Sequence, residues 1–471
     1  MGYLKETGQL TPEKQMEIEQ KINVSYQRLL TFEVSGTGGF DWYGQPPAKV
    51  ILSAYGILLL SDMKKVYEID SGVIDRAYGF LRSKQNSDGS WSLDRDMHTW
   101  RQLSSNGRLP VTAYVTWALA EAGYRDSAVG GAINYIKRHL SEAKDPYVQA
   151  LCANALIAYY GGNSPACSDI LAKLKGGIRI SEKEKVSYWD TTIQGVTYSS
   201  GESADLEATA LATYAFIKAR YEPSLVEKSL HYITRAKDSY GGWHSTQATL
   251  LCIKTLLEAA KSFSSAKNKG IVTSYINGIK VESGFEEFTE KNSDAMQQIN
   301  ISAYLREGEN EVRLEMEGEV NVAYQIVGRY YIPWSELSEL SEKSPPLTID
   351  VSYNKTKLRT DDTVTASVRI RYNEAMPTFM VIADLGIPPG FSVEAADLER
   401  LVSDHIIDKY AITGRQITLY IGALERGKDV KMDYRLKARY PIKAKAPSST
   451  VYEYYSPDKS ASTKPIEFQV E

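Results

Sequence analysis

The spacing of apolar residues changes once along the chain, near residue 263. Before it, apolar positions recur at intervals of three and four. Residues 50–63 read VILSAYGILLLSDM and residues 111–122 read VTAYVTWALAEA, and the stretches 150–160, 206–219 and 247–260 follow the same rule. These stretches are rich in Ala and Leu, so the spacing predicts helices. Several are apolar nearly all round, which marks helices enclosed by others rather than surface ones. Between them recurs a turn ending in an aromatic: Gly38-Gly39-Phe40, Asp88-Gly89-Ser90-Trp91 and Gly241-Gly242-Trp243. Glycine admits the positive φ of a tight turn, and the aromatic anchors the turn in the core. Gly39 and Gly89 lie 50 residues apart, the span of one helix pair. Helix pairs strung this way close into a superhelix or a ring. Residues 1–262 therefore read as an α/α toroid.

After residue 263 the period is two. Val364, Ala366, Val368 and Ile370 alternate with Thr365, Ser367, Arg369 and Arg371, and Ile417, Leu419 and Ile421 alternate with Thr418 and Tyr420. This is the pattern of half-buried antiparallel strands. Asn277-Gly278 and Glu309-Asn310 read as turns. A polar stretch over 335–344, followed by Pro345-Pro346, reads as a linker. A short helix is expected at 395–403, after Pro388-Pro389-Gly390. The expected fold class is α plus β multidomain: an α/α toroid followed by two antiparallel β-sandwich units, at 263–334 and 345–471.

Composition narrows the function classes. The 471 residues are 43% apolar and 24% charged, ordinary for a globular chain of about three domains. Lys and Arg total 55 against 59 Asp and Glu, a net charge of −4. Nucleic-acid binding driven by phosphate neutralisation is not expected of such a chain. No apolar run approaches the roughly 18 residues that span a bilayer. The start, MGYLKE, lacks the basic and apolar pattern of a secretory signal. Cys152, Cys167 and Cys252 are too few for a disulfide framework or a four-Cys zinc site, and their spacing does not say whether two of them bridge.

Motifs for common chemistries are missing: there is no Gly-x-Ser-x-Gly, P-loop lysine, His-Glu-x-x-His or Cys-x-x-Cys. The histidines His98, His139, His231, His244 and His405 are dispersed, so neither a metal site nor a cofactor is expected. His98 lies in the loop Asp94-Arg95-Asp96-Met97-His98-Thr99-Trp100, where it can serve as nucleophile or base, or pack as a surface ring on Trp100. His244 reads as structural. Of the acids Asp94, Asp96, Glu202, Asp205 and Glu207, a glycosidase would need two at a defined separation. They read instead as solvated or helix-capping, with Ser203, Asp205 and Glu207 placed in an N-terminal first turn.

Ordered segments then carry a resemblance. Residues 3–12 (YLKETGQLTP), 26–30 (YQRLL) and 38–44 (GGFDWYG) resemble the early helices of the thioester-containing domain of the α2-macroglobulin and complement C3 family. Residues 204–210 (ADLEATA) and 241–247 (GGWHSTQ) are similar to that domain's closing segment, and 384–391 (DLGIPPGF) with 451–455 (VYEYY) to the C-terminal macroglobulin or receptor-binding domain. Residues 117–123 (WALAEAG) resemble bacterial members most. The resemblance implies a thioester-domain toroid at 1–262, CUB-type strands at 263–334, a linker at 335–344 and the receptor-binding-like sandwich at 345–471.

The resemblance also implies a mechanism. Family members join the Cys and Gln of a Cys-x-Glu-Gln motif in an internal thioester. The bond is shielded until a protease cuts a bait region, and the released acyl group then bonds to an amine or hydroxyl of the target. Here Ala155, Ile170 and Thr255 stand three residues after the cysteines, so no thioester forms within this chain. In the family the motif lies just upstream of the segment matching Tyr3. The implied function is the C-terminal portion of an α2-macroglobulin-like protease inhibitor, not an enzyme. Its partners would be proteases, through the full-length protein, and upstream macroglobulin domains. Its place would be extracellular, periplasmic or at the cell surface. His98 falls near the family's histidine that takes the acyl group and favours hydroxyl targets, while the surface reading of it stands beside this one. The helix at 394–404 carries Arg400 and no lysine, a departure from receptor-binding members. An α/α-toroid enzyme (terpene cyclase, prenyltransferase or glycan-degrading) and a stand-alone binding module are the competing readings. No Asp-x-Asp-Asp acid or zinc spacing supports the first.

Overall fold

The computed structural model describes residues 1–6, 10–94, 107–238, 242–243, 245–263, 269–282, 285, 287–289, 297–319, 324–328, 333, 345–374, 378–454 and 456–471. The first half is helical. In chain order the helices are α1 (Gly2–Glu6), α2 (Pro12–Leu30), α3 (Val50–Lys64), α4 (Ser71–Ser83), α5 (Arg108–Glu121) and α6 (Ser127–His139). They continue with α7 (Pro146–Tyr160), α8 (Ser168–Gly176), α9 (Gly201–Ala219), α10 (Pro223–Arg235) and α11 (Thr246–Phe263). Helix starts follow local chemistry. Thr11 caps α2 by accepting the Lys14 N–H at 3.3 Å, with Pro12 at the first position. Asp70, Asp126 and Asp145 cap α4, α6 and α7 in the same way.

The odd-numbered helices from α3 to α11 pack in sequence, each on the next, with the even-numbered ones outside. The burial patterns explain the division. Every residue from Leu109 to Ala120 of α5 and from Tyr147 to Ile157 of α7 is buried. On α4 only Val73, Ile74, Ala77, Phe80 and Leu81 are buried, a single stripe. Lys254 of α11 reaches Asp62 of α3 at 2.8 Å and ties the last inner helix back to the first. The expected toroid is present.

A repeated joint holds α4, α8 and α10 each to the inner helix that follows it. The indole N–H groups of Trp91, Trp189 and Trp243 donate to the carbonyls of Leu81, Leu174 and Ile233 at 2.7, 2.8 and 2.6 Å. The backbone N–H groups of the same residues donate to the hydroxyls of Thr112, Thr209 and Thr249 at 3.0, 3.0 and 2.9 Å. Phe40 makes the backbone half of this joint with Ser53, at 2.9 Å. Each joint satisfies buried donors that would otherwise cost about 1–3 kcal/mol apiece. Trp189 was not legible as a repeat because no glycine turn precedes it. Two turn glycines are close-packed: a Cβ on Gly39 would lie 2.7 Å from Ala48 Cβ and from the Phe80 ring, and Gly89 has φ +90°, where a Cβ would fall 2.5 Å from Gly131 O.

Strands follow. β1 (Arg179–Ser181) and β2 (Val186–Tyr188) form a small ribbon beside α10. β3 (Lys269–Ile276), β4 (Ile279–Lys280) and β5 (Val312–Glu319) form a three-stranded antiparallel sheet in the order β4-β3-β5. Asn277 and Gly278 have φ +52° and +82°, the left-handed pair of a two-residue hairpin turn.

The C-terminal unit contains β6 (Leu347–Tyr353), β7 (Lys357–Leu358), β8 (Thr363–Tyr372), β9 (Thr378–Gly386) and β10 (Phe391–Val393). Then come the helix α12 (Ala395–Ser403), β11 (Lys409–Ile412), β12 (Gln416–Leu424) and β13 (Val430–Ala438). β14 (Ile442–Lys445), β15 (Thr450–Glu453), β16 (Ser456–Ser462) and β17 (Glu467–Val470) close the chain. A four-stranded sheet, β10-β13-β8-β6, faces a five-stranded one, β11-β12-β9-β15-β16. Val364, Ala366, Val368 and Ile370 are buried against Ile417, Leu419 and Val451, as the alternation requires. α12 covers one end through Leu398 and Leu401. Its Asp397 accepts from Arg435 Nε at 2.8 Å, and this partner holds the Asp397 carboxyl below its usual range. The linker at 335–344 lies outside the described residues.

Candidate functional site: the seam between ring and sandwich

The sandwich docks on the end of the ring where the inner helices begin. The ring side is built from three loops. Asp94 carries one of them: its Oδ2 accepts the Val50 N–H at 2.8 Å and caps α3 from 44 residues away. Burial raises the Asp94 carboxyl above its ordinary range. Trp42 comes from a second loop. Tyr198 comes from a third, with φ +73°, and its ring centroid lies 5.9 Å from that of Trp42. The sandwich side is a knob of two residues. Met380, at φ +57°, packs into a cluster with Tyr198, Trp42, Leu93 and Tyr420. Tyr454 donates its N–H to Met380 O at 2.9 Å and places its hydroxyl 3.3 Å from Thr246 Oγ1. Lys409 sits over the Tyr43 ring, 5.2 Å from its centroid.

The Ser245-Thr246-Gln247 run at the start of α11 divides its tasks. Ser245 Oγ caps the helix by accepting the Ala248 N–H at 3.0 Å and also accepts from Ser203 Oγ at 3.0 Å. Thr246 meets Tyr454. Gln247 is buried.

Beneath the loops lies a buried polar layer centred on Glu207 of α9. Glu207 is fully buried, and its Oε2 accepts from Thr197 Oγ1 at 3.2 Å. Burial pushes its carboxyl up to about 8. The Tyr147 hydroxyl accepts the Val196 N–H at 3.0 Å and holds the same loop. Burial pushes the Tyr55 phenol up to about 12, with smaller contributions from Tyr454 and Glu207.

Several sequence expectations find their places here, and some are corrected. His98, Asp96 and His244 lie outside the described residues. His139 pairs with Glu142 at 2.6 Å. Glu207 and Asp205 are not first-turn capping groups: α9 begins at Gly201, Asp205 Oδ1 accepts the Thr191 N–H at 2.7 Å, and Glu207 points into the ring. A helix enclosed on every side leaves no solvated face for its acid. That signal was legible, since Glu207 stands between Leu206 and Ala208 in an apolar run. The three cysteines are unbridged and buried. Burial raises the Cys152 thiol to about 12 and the Cys252 thiol further, so neither is a ready nucleophile. Among the described residues no group of three or more His, Cys, Asp or Glu could hold a metal ion, and no helix is long and apolar enough to cross a membrane.

A ring of helix pairs, a three-stranded sheet and a sandwich docked over the inner-helix starts define a multidomain scaffold whose distinctive surface is an interdomain seam. Family models place it. The A-macroglobulin TED domain model matches residues 1–258 and the A-macroglobulin receptor binding domain model matches residues 377–465. The chain belongs to the α2-macroglobulin family. It is 21% identical over 484 residues to ovostatin of Gallus gallus, covering 98% of this chain and 31% of that protein. It is 20% identical over 435 residues to complement C3 of Eptatretus burgeri, covering 86% of this chain and 25% of that protein. The chain thus spans between a quarter and a third of the length of these relatives. Native α2-macroglobulin of Escherichia coli, in a structure running from domain MG7 to the C-terminus, superposes with a TM-score of 0.63 at 16% identity. That match covers 98% of this chain and 68% of the other, and shows the shared fold.

Proposed function

We propose that this chain is the C-terminal portion of an α2-macroglobulin-like protease inhibitor, a conformational trap rather than an enzyme. The observation that carries the reading is the Met380–Tyr454 knob seated on the ring end formed by Trp42, Tyr198 and Thr246. A reactive acyl bond held at that end would be shielded from water by apolar and aromatic side chains and bared when the sandwich leaves. The bond is supplied from a Cys-x-Glu-Gln segment outside these residues, since no cysteine here has glutamine three residues on. A flank of α11 supports this: Ile253 and Leu257, one turn apart, are each 44% exposed, and one more helix would cover them. His98 is proposed as the acyl-transfer group. The unit boundaries at 262, 334 and 344 go with this reading, as do proteases and upstream macroglobulin domains as partners and an extracellular, periplasmic or cell-surface location.

The test is a polypeptide joining this chain to its genomic upstream region, exposed to a panel of endopeptidases. The expected result is a protease-containing adduct that survives boiling in detergent and is lost after methylamine treatment. A His98→Ala variant should shift capture from hydroxyl to amine targets. Proteases left wholly free, with no methylamine incorporated, would overturn the reading.

A further inference from the structure

Glu207 has no place in the trapping scheme, yet it lies in the interior of the ring. It is a fully buried carboxyl on an enclosed helix. The groups facing it come from every neighbouring element: Tyr55 of α3, Tyr114 of α5, Tyr147 of α7, Cys252 of α11, and Thr197 and Ser199 of the loop above. Each titratable one of these is a phenol or thiol that burial keeps protonated. Among the described residues none supplies a positive charge to Glu207. An ionised carboxylate there would be buried and unpaired, which is costly.

What Glu207 holds is the loop that carries Tyr198. Thr197 Oγ1 donates to it at 3.2 Å. The loop is drawn tight by Gly195 N–H to Ser199 O at 2.9 Å, Tyr198 N–H to Gly195 O at 3.0 Å and Gln194 Nε2 to Tyr198 O at 3.2 Å. There is no slack: a Cβ on Gly195 would fall 2.3 Å from Ser199 Oγ, 3.2 Å from Glu207 Oε2 and 3.3 Å from the Tyr147 hydroxyl. At the far side of this loop Tyr198, itself at positive φ, meets Met380. One chain of contacts therefore runs from the Glu207 carboxyl through Thr197 and Tyr198 to the sandwich.

We propose that Glu207 is a proton-controlled fastener of the seam: protonated, it keeps the 194–199 loop closed and Tyr198 seated on Met380, and its ionisation loosens the loop and lets the sandwich lift from the ring. The acidic and basic groups at the seam itself, Asp94, Asp408 and Lys409, do not substitute for it. Asp94 is fixed on the start of α3, and Asp408 and Lys409 lie on the sandwich side. The open state carries the ordinary carboxylate value of 4.5 and the closed state a value of about 8, so closure is strongest below 4.5, weakens as pH rises between the two, and levels off above about 8. The device needs neither a protease nor a thioester. Its failure leaves the trapping reading intact, and the converse holds.

The 471-residue chain serves for the test. Dilute hydrogen peroxide oxidises methionine where solvent reaches it, and peptide mass spectrometry reads each site. Met380 reports the seam, and Met16, 69% exposed, is the internal standard. The Met380-to-Met16 rate ratio should climb at least about tenfold between about pH 5 and 8 and level off above that, as an open minor state becomes populated. Glu207→Gln should hold the ratio low and flat. Thr197→Val removes a hydrogen bond to the charged form, so its midpoint should move to higher pH. A flat ratio in the unmodified chain, or the same climb in Glu207→Gln, overturns the proposal. If far-UV circular dichroism shows that Glu207→Gln has lost its helices, Thr197→Val decides: a raised midpoint supports the proposal and an unmoved one overturns it.

Discussion

Tyr454 and Met380 belong to different strand ends of the sandwich, yet the Tyr454 N–H donates to the Met380 carbonyl at 2.9 Å and the two side chains reach the ring together. The backbone bond makes one knob out of β15 and β9. Met380 adopts φ +57° to complete it, a conformation costing a methionine about 1 kcal/mol or more. That strain sits where the two domains meet.

Truncating the knob should separate the domains without unfolding them. Met380→Ala removes a buried side chain from the seam, a loss of about 2 kcal/mol or more of docking energy. Calorimetry should resolve two melting transitions where the unmodified chain gives one, and small-angle scattering should report a larger radius of gyration. A single unchanged transition would show that the knob is not what joins them.

The Trp–Thr joints should be energetic as well as repetitive. Thr209→Val keeps the shape of the side chain but leaves the buried Trp189 N–H without its 3.0 Å acceptor. We expect a loss of about 1–3 kcal/mol in urea denaturation. Serine at the same position keeps the acceptor and should recover most of the loss.

Gly89 is a point where sequence and backbone geometry meet. Alanine there would have to hold φ +90° and bring a Cβ within 2.5 Å of Gly131 O. The strain and the clash should together destabilise the ring by more than about 1 kcal/mol. Gly79, where a Cβ meets nothing within 4 Å, is the control: alanine in that mid-helix position should stabilise slightly.

Acid should loosen the sandwich through Asp397. Its carboxyl is buried and held below the usual range by Arg435, so folding favours the ionised form. A lowered folded-state value gives stability that is complete above the unfolded value of 3.8 and is lost as pH falls through the lower folded value. Asp397→Asn should be less stable at neutral pH, by about 1.5–3 kcal/mol for the charged hydrogen bonds, and should not weaken further through this group in acid. Guanidinium denaturation followed at about pH 7 and pH 3 would check both halves.

The sequence by itself determined the elements and their class. Periods of three to four and then of two come from side-chain direction on helix and strand, so residues 50–63 became α3, residues 395–403 became α12, and Val364 to Ile370 became a half-buried strand. It also showed that no cysteine of the chain stands three residues before a glutamine. Only the tertiary structure decided which acid is buried and where the domains touch. Glu207 is separated from its loop partner Thr197 by ten positions, and Tyr454 from Thr246 by 208. No periodicity spans such gaps. Burial of a carboxylate and the meeting of two loops depend on how the ring closes and where the sandwich lands. Those are sums over many weak contacts that a local pattern does not contain.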